Sequence, residues 1–201
     1  MDKLSYALGL GIGQNLLGMG AKDMSVDDFA QAVRDVLQSK PTAITHKEAQ
    51  EIVTRHFQEL EARAHAANIE AGRRFLEANK QRPGVVTLPS GLQYEVIEEG
   101  NPSGPRATLY DRVQCHYEGM LTDGTLFDSS VKRGQPAVFG VNQVIPGWTE
   151  ALQLMPEGAK WKLYLPSELA YGAQGAGDAI PPHSTLVFEV ELQKILPRKN
   201  A

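Results

Sequence analysis

The sequence holds a single cysteine, Cys115. No disulfide can close within the chain, so the fold rests on packing, and the plain reading of Cys115 is a buried strand residue. No run of Lys and Arg is present and the formal net charge is -4. Without a basic face to displace condensed counterions, nucleic acid is excluded as a partner. No stretch approaches the ~18 apolar residues of a membrane span. The start, Met1-Asp2-Lys3-Leu4-Ser5-Tyr6, shows no basic cluster leading into an apolar run and cleavage site. The expectation is a cytoplasmic chain that meets no membrane, or a periplasmic one if an export signal has been trimmed.

Several chemistries lack their residues as well. His46, His56, His65, His116 and His183 include no pair at metal-ligand spacing on one helix face, and one cysteine supplies no thiolate cluster. No metal or other cofactor is expected. There is no G-x-S-x-G elbow and no Ser or Cys marked by its neighbours as a nucleophile, although a triad assembled from distant residues stays open. The run Gly9-Leu10-Gly11-Ile12-Gly13 looks like a phosphate loop, but such a loop follows a strand. Here a helical pattern precedes it, and the glycines are expected to let two helices approach closely.

What is present divides at Gln81-Arg82-Pro83-Gly84, where the apolar period changes from helical to alternating. In the first half Leu4, Leu8, Ile12, Leu16 and Met19 draw one helical stripe. Ser25-Val26-Asp27-Asp28 opens a second helix with a capping box, buried through Phe29, Val33, Val36 and Leu37. Thr45-His46-Lys47-Glu48 opens a third, which keeps helical spacing from Ala49 to Phe75 and, continued to Lys80, spans roughly 54 Å at 1.5 Å per residue. Gly72 weakens that helix without ending it. Two short apolar helices cannot enclose a core alone. A second copy solves the problem, so residues 1–44 are expected to form a helical dimerisation module and 45–82 a long linker helix.

The second half, 83–201, alternates with period two. Val113, Cys115 and Tyr117 face one way, as do Trp161, Leu163 and Leu165, while Leu186, Phe188, Val190 and Leu192 oppose Val187, Glu189 and Glu191. Asp123-Gly124 reads as a two-residue hairpin turn with positive φ at both positions. A short helix from Gly147 to Leu154 is bounded by Pro146 and Pro156. The fold class is α+β, an all-helical front followed by an antiparallel sheet wrapped around one short helix. This half is also dense in aromatic and apolar residues near turns, among them Tyr117, Phe127, Phe139, Trp148, Tyr171, Ile180 and Phe188. By composition alone these are core or pocket in equal measure.

The strings around them are more specific. Val113-Gln114-Cys115-His116-Tyr117-Glu118-Gly119, then Asp123-Gly124 with Phe127-Asp128-Ser129-Ser130, Val144-Ile145-Pro146-Gly147-Trp148, Leu169-Ala170-Tyr171-Gly172 and Ile180-Pro181-Pro182 with Leu186-Val187-Phe188 stand in fixed order. From Gly91 to Leu196 they resemble the FKBP family of peptidyl-prolyl cis/trans isomerases (rotamases). The opening Ser5-Tyr6-Ala7-Leu8-Gly9-Leu10-Gly11-Ile12-Gly13 and the helix lengths resemble its Mip-like branch, in which a helical module dimerises and a long helix leads to the isomerase domain.

The resemblance implies a slot with Trp148 as floor and Tyr117, Phe127, Val144, Ile145 and Phe188 as walls, with Phe139 and Ile180 beside them. It implies that Asp128, Tyr171 and the Ile145 amide orient the substrate. Asp128 is otherwise a turn cap, Tyr171 a loop anchor, and Arg133 either pairs with Asp128 or is a solvated charge. Ala137, where many members carry an aromatic wall, and the Gly- and Ala-rich stretch 173–179 leave macrolide affinity and the preferred residue before proline open. The expected partners are proline-containing unfolded or partly folded proteins, macrolide inhibitors and a second copy. The competing reading is a dimeric, chaperone-like binder of unfolded chains with minor isomerase activity; a purely structural dimer is a more distant one.

Overall fold

The computed structural model describes residues 1–196; the last part of the expected second domain, 197–201, lies outside the described residues. By internal packing the chain forms two compact units, Met1–Arg63 and a second beginning at Ala64. The boundary read from the sequence, at 82/83, therefore falls inside the second unit.

In the first unit, α1 (Lys3–Gly18) starts on Asp2, whose carboxylate accepts the Ser5 N–H at 2.8 Å. α2 (Val26–Leu37) starts on Ser25, which accepts the Asp28 N–H at 3.3 Å as the capping box predicts. α3 (His46–Asn79) starts in this unit on Thr45, which accepts from Glu48 at 3.2 Å, belongs to the second unit from Ala64 onward, and ends one residue before the expected Lys80. Neither α1 nor α2 buries a single residue. Gly9, Gly11 and Gly13 lie within α1 with open space where a Cβ would be, so no close helix approach is made there within one chain. A phosphate loop is excluded by the same placement.

The second unit is a sheet of β1 (Val85–Thr87), β2 (Gln93–Glu98), β3 (Arg112–Leu121), β4 (Leu126–Ser129), β5 (Ala137–Gly140), β6 (Lys160–Leu165) and β7 (Leu186–Leu196). Its order is β1-β2-β6-β7-β3-β4, every pair antiparallel, with β5 sharing the β3 edge ahead of β4. α4 (Pro146–Leu154) lies on one face, beginning at Pro146 itself, a residue whose missing N–H suits the first helical position. Trp148, Ala151 and Leu152 of α4 meet the expected inward set of β3, β6 and β7 in one core. Cys115 is part of it, and burial together with the Glu191 charge pushes its thiol up to about 12.

Two expectations about this unit need correcting. The hairpin between β3 and β4 has a three-residue loop, Thr122-Asp123-Gly124. The Gly124 N–H bonds Leu121 O, and Gly124 alone takes positive φ, +87°, while Asp123 accepts the Thr125 N–H through its side chain. That is a helical-type turn closed by a glycine bulge rather than the two-residue form. The outward side of the sheet is also less open than strict alternation predicts, since Tyr164 and Val187 are buried. The last turns of α3 cover it. The Phe75 ring lies 6.0 Å from Tyr164, and Asn79, itself buried, donates to Gln93 at 2.8 Å.

Candidate functional site

A cavity of about 370 Å³ opens on the α4 face of the sheet. α4 begins directly beneath it, which sets the Trp148 indole as a floor, 4% exposed. Three rings stand on it almost perpendicularly. Tyr117 from β3 lies at 5.3 Å, Phe139 from β5 at 5.6 Å and Phe188 from β7 at 5.4 Å, with interplanar angles between 83° and 87°. Edge-to-face contacts of this kind align positive ring edges with the negative indole face and fix the rings against one another. Phe127 from β4 completes the wall, edge-on to Phe188 at 5.6 Å. Gly119 is what makes room, because a Cβ there would lie 2.6 Å from Phe127 and 2.8 Å from Phe188.

The segment that enters α4 supplies the remaining apolar wall, Val144 and Ile145. The Ile145 carbonyl accepts from Trp148 and Thr149, while its own N–H donates to no acceptor among the described residues. Gln143, at the end of the 3-10 turn Val141–Gln143, also lines the cavity. Sequence reading missed it because the matched string began one residue later.

Polar groups converge at the rim. The Tyr117 hydroxyl donates to Asp128 Oδ2 at 2.5 Å and accepts from Arg133 at 2.9 Å, while Arg133 also donates to Asp128 Oδ1. The guanidinium sits 5.6 Å from the Tyr117 ring centre. Arg133 is thus paired rather than a free surface charge. Partial burial works against the Asp128 charge, but the hydrogen bonds from Tyr117 and Arg133 outweigh it and hold the carboxyl below its ordinary range. Burial and the bond to Asp128 raise the Tyr117 phenol. Tyr171, at the mouth, is raised by burial and by the Asp128 charge.

Of the residues named from the sequence, Tyr117, Phe127, Asp128, Phe139, Val144, Ile145, Trp148, Tyr171 and Phe188 line this one cavity, and Arg133 joins it through the rim bonds. Ile180 does not. It is buried in the core and pairs with Ala176 across a short bridge, holding the loop from behind. Ala137 is packed against the core and is not a lining residue. A larger cavity, about 810 Å³, lies between α1 and α2, but the groups around it are mostly apolar and no cluster of polar side chains converges there.

An antiparallel sheet wrapped on a short helix, with an aromatic slot floored by that helix, defines an FKBP-like domain. The chain belongs to the FKBP-type peptidyl-prolyl cis-trans isomerases: the family model so described matches residues 104–193, and the model described as the domain amino terminal to that isomerase matches residues 1–96. Over 196 residues it is 48% identical to the FKBP-type 22 kDa peptidyl-prolyl cis-trans isomerase of Escherichia coli (strain K12), covering 96% of this chain and 94% of that one. It is 41% identical to the outer membrane protein MIP of Legionella longbeachae, covering 95% and 84%. The crystal structure of FkpA from Escherichia coli matches with a TM-score of 0.80 at 34% identity, covering 98% of this chain and 96% of that one. The protein is therefore a peptidyl-prolyl isomerase, and its family acts on proline-containing chains. The expectation of a cytoplasmic chain draws no support from these relatives. Among the described residues no helix is long and apolar enough to cross a membrane.

Proposed function

We propose that the slot over Trp148 is where this isomerase holds the proline ring, and that it speeds rotation by favouring the twisted amide over either planar form. Rotation costs ~18–20 kcal/mol because the twisted state gives up resonance, and uncatalysed X-Pro exchange takes tens to hundreds of seconds. No covalent bond breaks, so differential binding suffices, at tenfold in rate for every ~1.4 kcal/mol. A twisted amide has a smaller dipole than a planar one, and an apolar slot penalises it less. The volume of about 370 Å³ suits a proline and part of its neighbour. The Ile145 N–H serves as donor to a substrate carbonyl, and Asp128 and Tyr171 orient the chain at the mouth.

The observation that carries this reading is the convergence of one carboxylate, hydrogen-bonded by Tyr117 and Arg133, on a mostly aromatic and aliphatic cavity. Its test is a protease-coupled assay on a proline tetrapeptide. Asp128→Ala and Tyr171→Phe are each expected to slow isomerisation while leaving the unfolding midpoint near that of the parent chain. Native rates in both variants would refute the assigned roles.

The first unit favours a second, compatible role. Leu4, Leu8, Leu10 and Leu17 of α1 are all more than half exposed, and Leu10 and Leu17 line the larger cavity. A second copy of α1 and α2 is the occupant we propose, giving a homodimer that presents two isomerase units to a client undergoing refolding. Macrolides are proposed as competitors for the same slot. For location we propose export, by likeness to the relative named as an outer membrane protein, which fractionation of producing cells tests.

A further inference from the structure

The helix α3 does more than lead into the isomerase unit. From Ala64 onward it packs within that unit, and three of its side-chain positions meet one short segment, Pro181 to Thr185. The Asn68 amide donates to Pro182 O at 2.9 Å. The His65 ring lies edge-on to His183 at 5.3 Å. Gly72 lies so close to Thr185 that a Cβ there would overlap Thr185 Oγ1 and sit 3.2 Å from its Cβ.

That segment is tied directly to the slot. The His183 N–H donates to Gly172 O at 2.8 Å, immediately beside Tyr171. His183 holds positive φ, +59°, an uncommon conformation for a residue with a Cβ. Such a conformation persists where surrounding contacts impose it, and the contacts here come from α3 on one side and Gly172 on the other. Thr185 is followed by Leu186, where β7 begins on its way to Phe188. The mouth of the slot at Tyr171 is therefore anchored through two residues of backbone to the helix.

We infer that Asn68 and Gly72 are positioning residues for the isomerase reaction, fixing the 181–185 segment so that the Tyr171 hydroxyl stands where the rotating amide needs it. The inference rests on the role given to Tyr171 above. Small displacements of an orienting group appear in the catalytic step more than in ground-state binding, so a loosened clamp lowers kcat and leaves KM nearly unchanged.

The test uses the full chain and a proline tetrapeptide, with kcat and KM measured separately for Asn68→Ala, for Tyr171→Phe and for the double variant. Asn68→Ala is expected to lower kcat about fivefold with KM within about twofold, and to add nothing in the Tyr171→Phe background, as coupled residues do. A second series checks the same clamp from its other contact. Gly72→Ala should reproduce the loss, and adding Thr185→Ala, which removes the overlapped hydroxyl, should restore most of it. Native kcat in Asn68→Ala, or an equal loss with and without the Tyr171 hydroxyl, overturns the inference while leaving the slot itself untouched. Native kcat in Tyr171→Phe overturns the role of Tyr171, and this inference with it.

Discussion

The two units spend their apolar residues in opposite ways. In the β unit Leu92, Leu152, Leu163, Leu186 and Leu192 are fully buried in one core, while α1 and α2 bury nothing and surround a cavity more than twice as large as the slot over Trp148. Size does not mark the chemistry. The smaller cavity has a fixed floor, perpendicular walls and a charged triangle at its rim, each part held by the core behind it. The larger one is an apolar face that the proposed second copy would cover, since burial at ~25 cal/mol per Å² is the main term able to offset chain entropy.

The largest effect should come from removing the floor. Trp148→Ala takes away the ring on which Tyr117, Phe139 and Phe188 stand, and truncating a buried aromatic costs about 3–5 kcal/mol. Its indole N–H has no acceptor among the described residues, so little hydrogen bonding is lost and the cost is one of packing. Urea unfolding should show an unfolding free energy lowered by that amount, and tetrapeptide isomerisation should fall toward the uncatalysed rate. A stable variant with native activity would mean that the slot is not the site and that the contrast between the units has been drawn in the wrong place.

A smaller effect should separate the units. Leu10, 54% exposed on α1 beside the larger cavity, becomes a buried position if a second copy covers that face. Leu10→Glu should then weaken dimerisation by about 2 kcal/mol, the scale of an interface hot spot, or roughly thirtyfold in dissociation constant. Sedimentation velocity at micromolar concentration reads this directly, and the tetrapeptide rate should not change. A parent chain that sediments as a monomer would remove the proposed partner and leave the exposed leucines without an account.

Much of this contrast was legible in the sequence, because it follows from period and local chemistry. Ser25 and Thr45 announce their helices through hydroxyls spaced three residues from a free amide, and the alternation around Tyr117 and Phe188 already assigns both to the inner face. The errors arise where contacts decide that period and dipeptide do not record, some distant and some local. Val187 reads as outward by alternation, yet Phe75 reaches the same outer face from a helix more than a hundred residues earlier. The turn at Asp123-Gly124 gains a third residue because Thr122 takes part in it, a choice the local dipeptide does not record. Ile180 carries the same apolar character as a wall residue, yet it is buried in the core cluster beside its bridge to Ala176.

The smallest effect concerns the rim and is a matter of sign. The Asp128 carboxyl is held below its ordinary range, its charge opposed by partial burial but supported more strongly by Tyr117 and Arg133. A depressed carboxyl contributes its stabilisation above the unfolded pKa and loses it as pH falls through the folded one. Catalysis that needs Asp128 ionised should therefore be flat through neutrality and decline only in acid, below the ordinary carboxylate range. Arg133→Ala removes one of the two supports, so the Asp128 pKa rises and the acid limb of the rate profile moves to higher pH, while the neutral plateau drops only modestly because Tyr117 still donates. Both groups of this pair are exposed in part, so salt should screen the Arg133 contribution and move the parent limb in the same direction. A limb that shifts neither with the substitution nor with salt would show that Asp128 ionisation does not control the rate, and would confine the site to its aromatic walls.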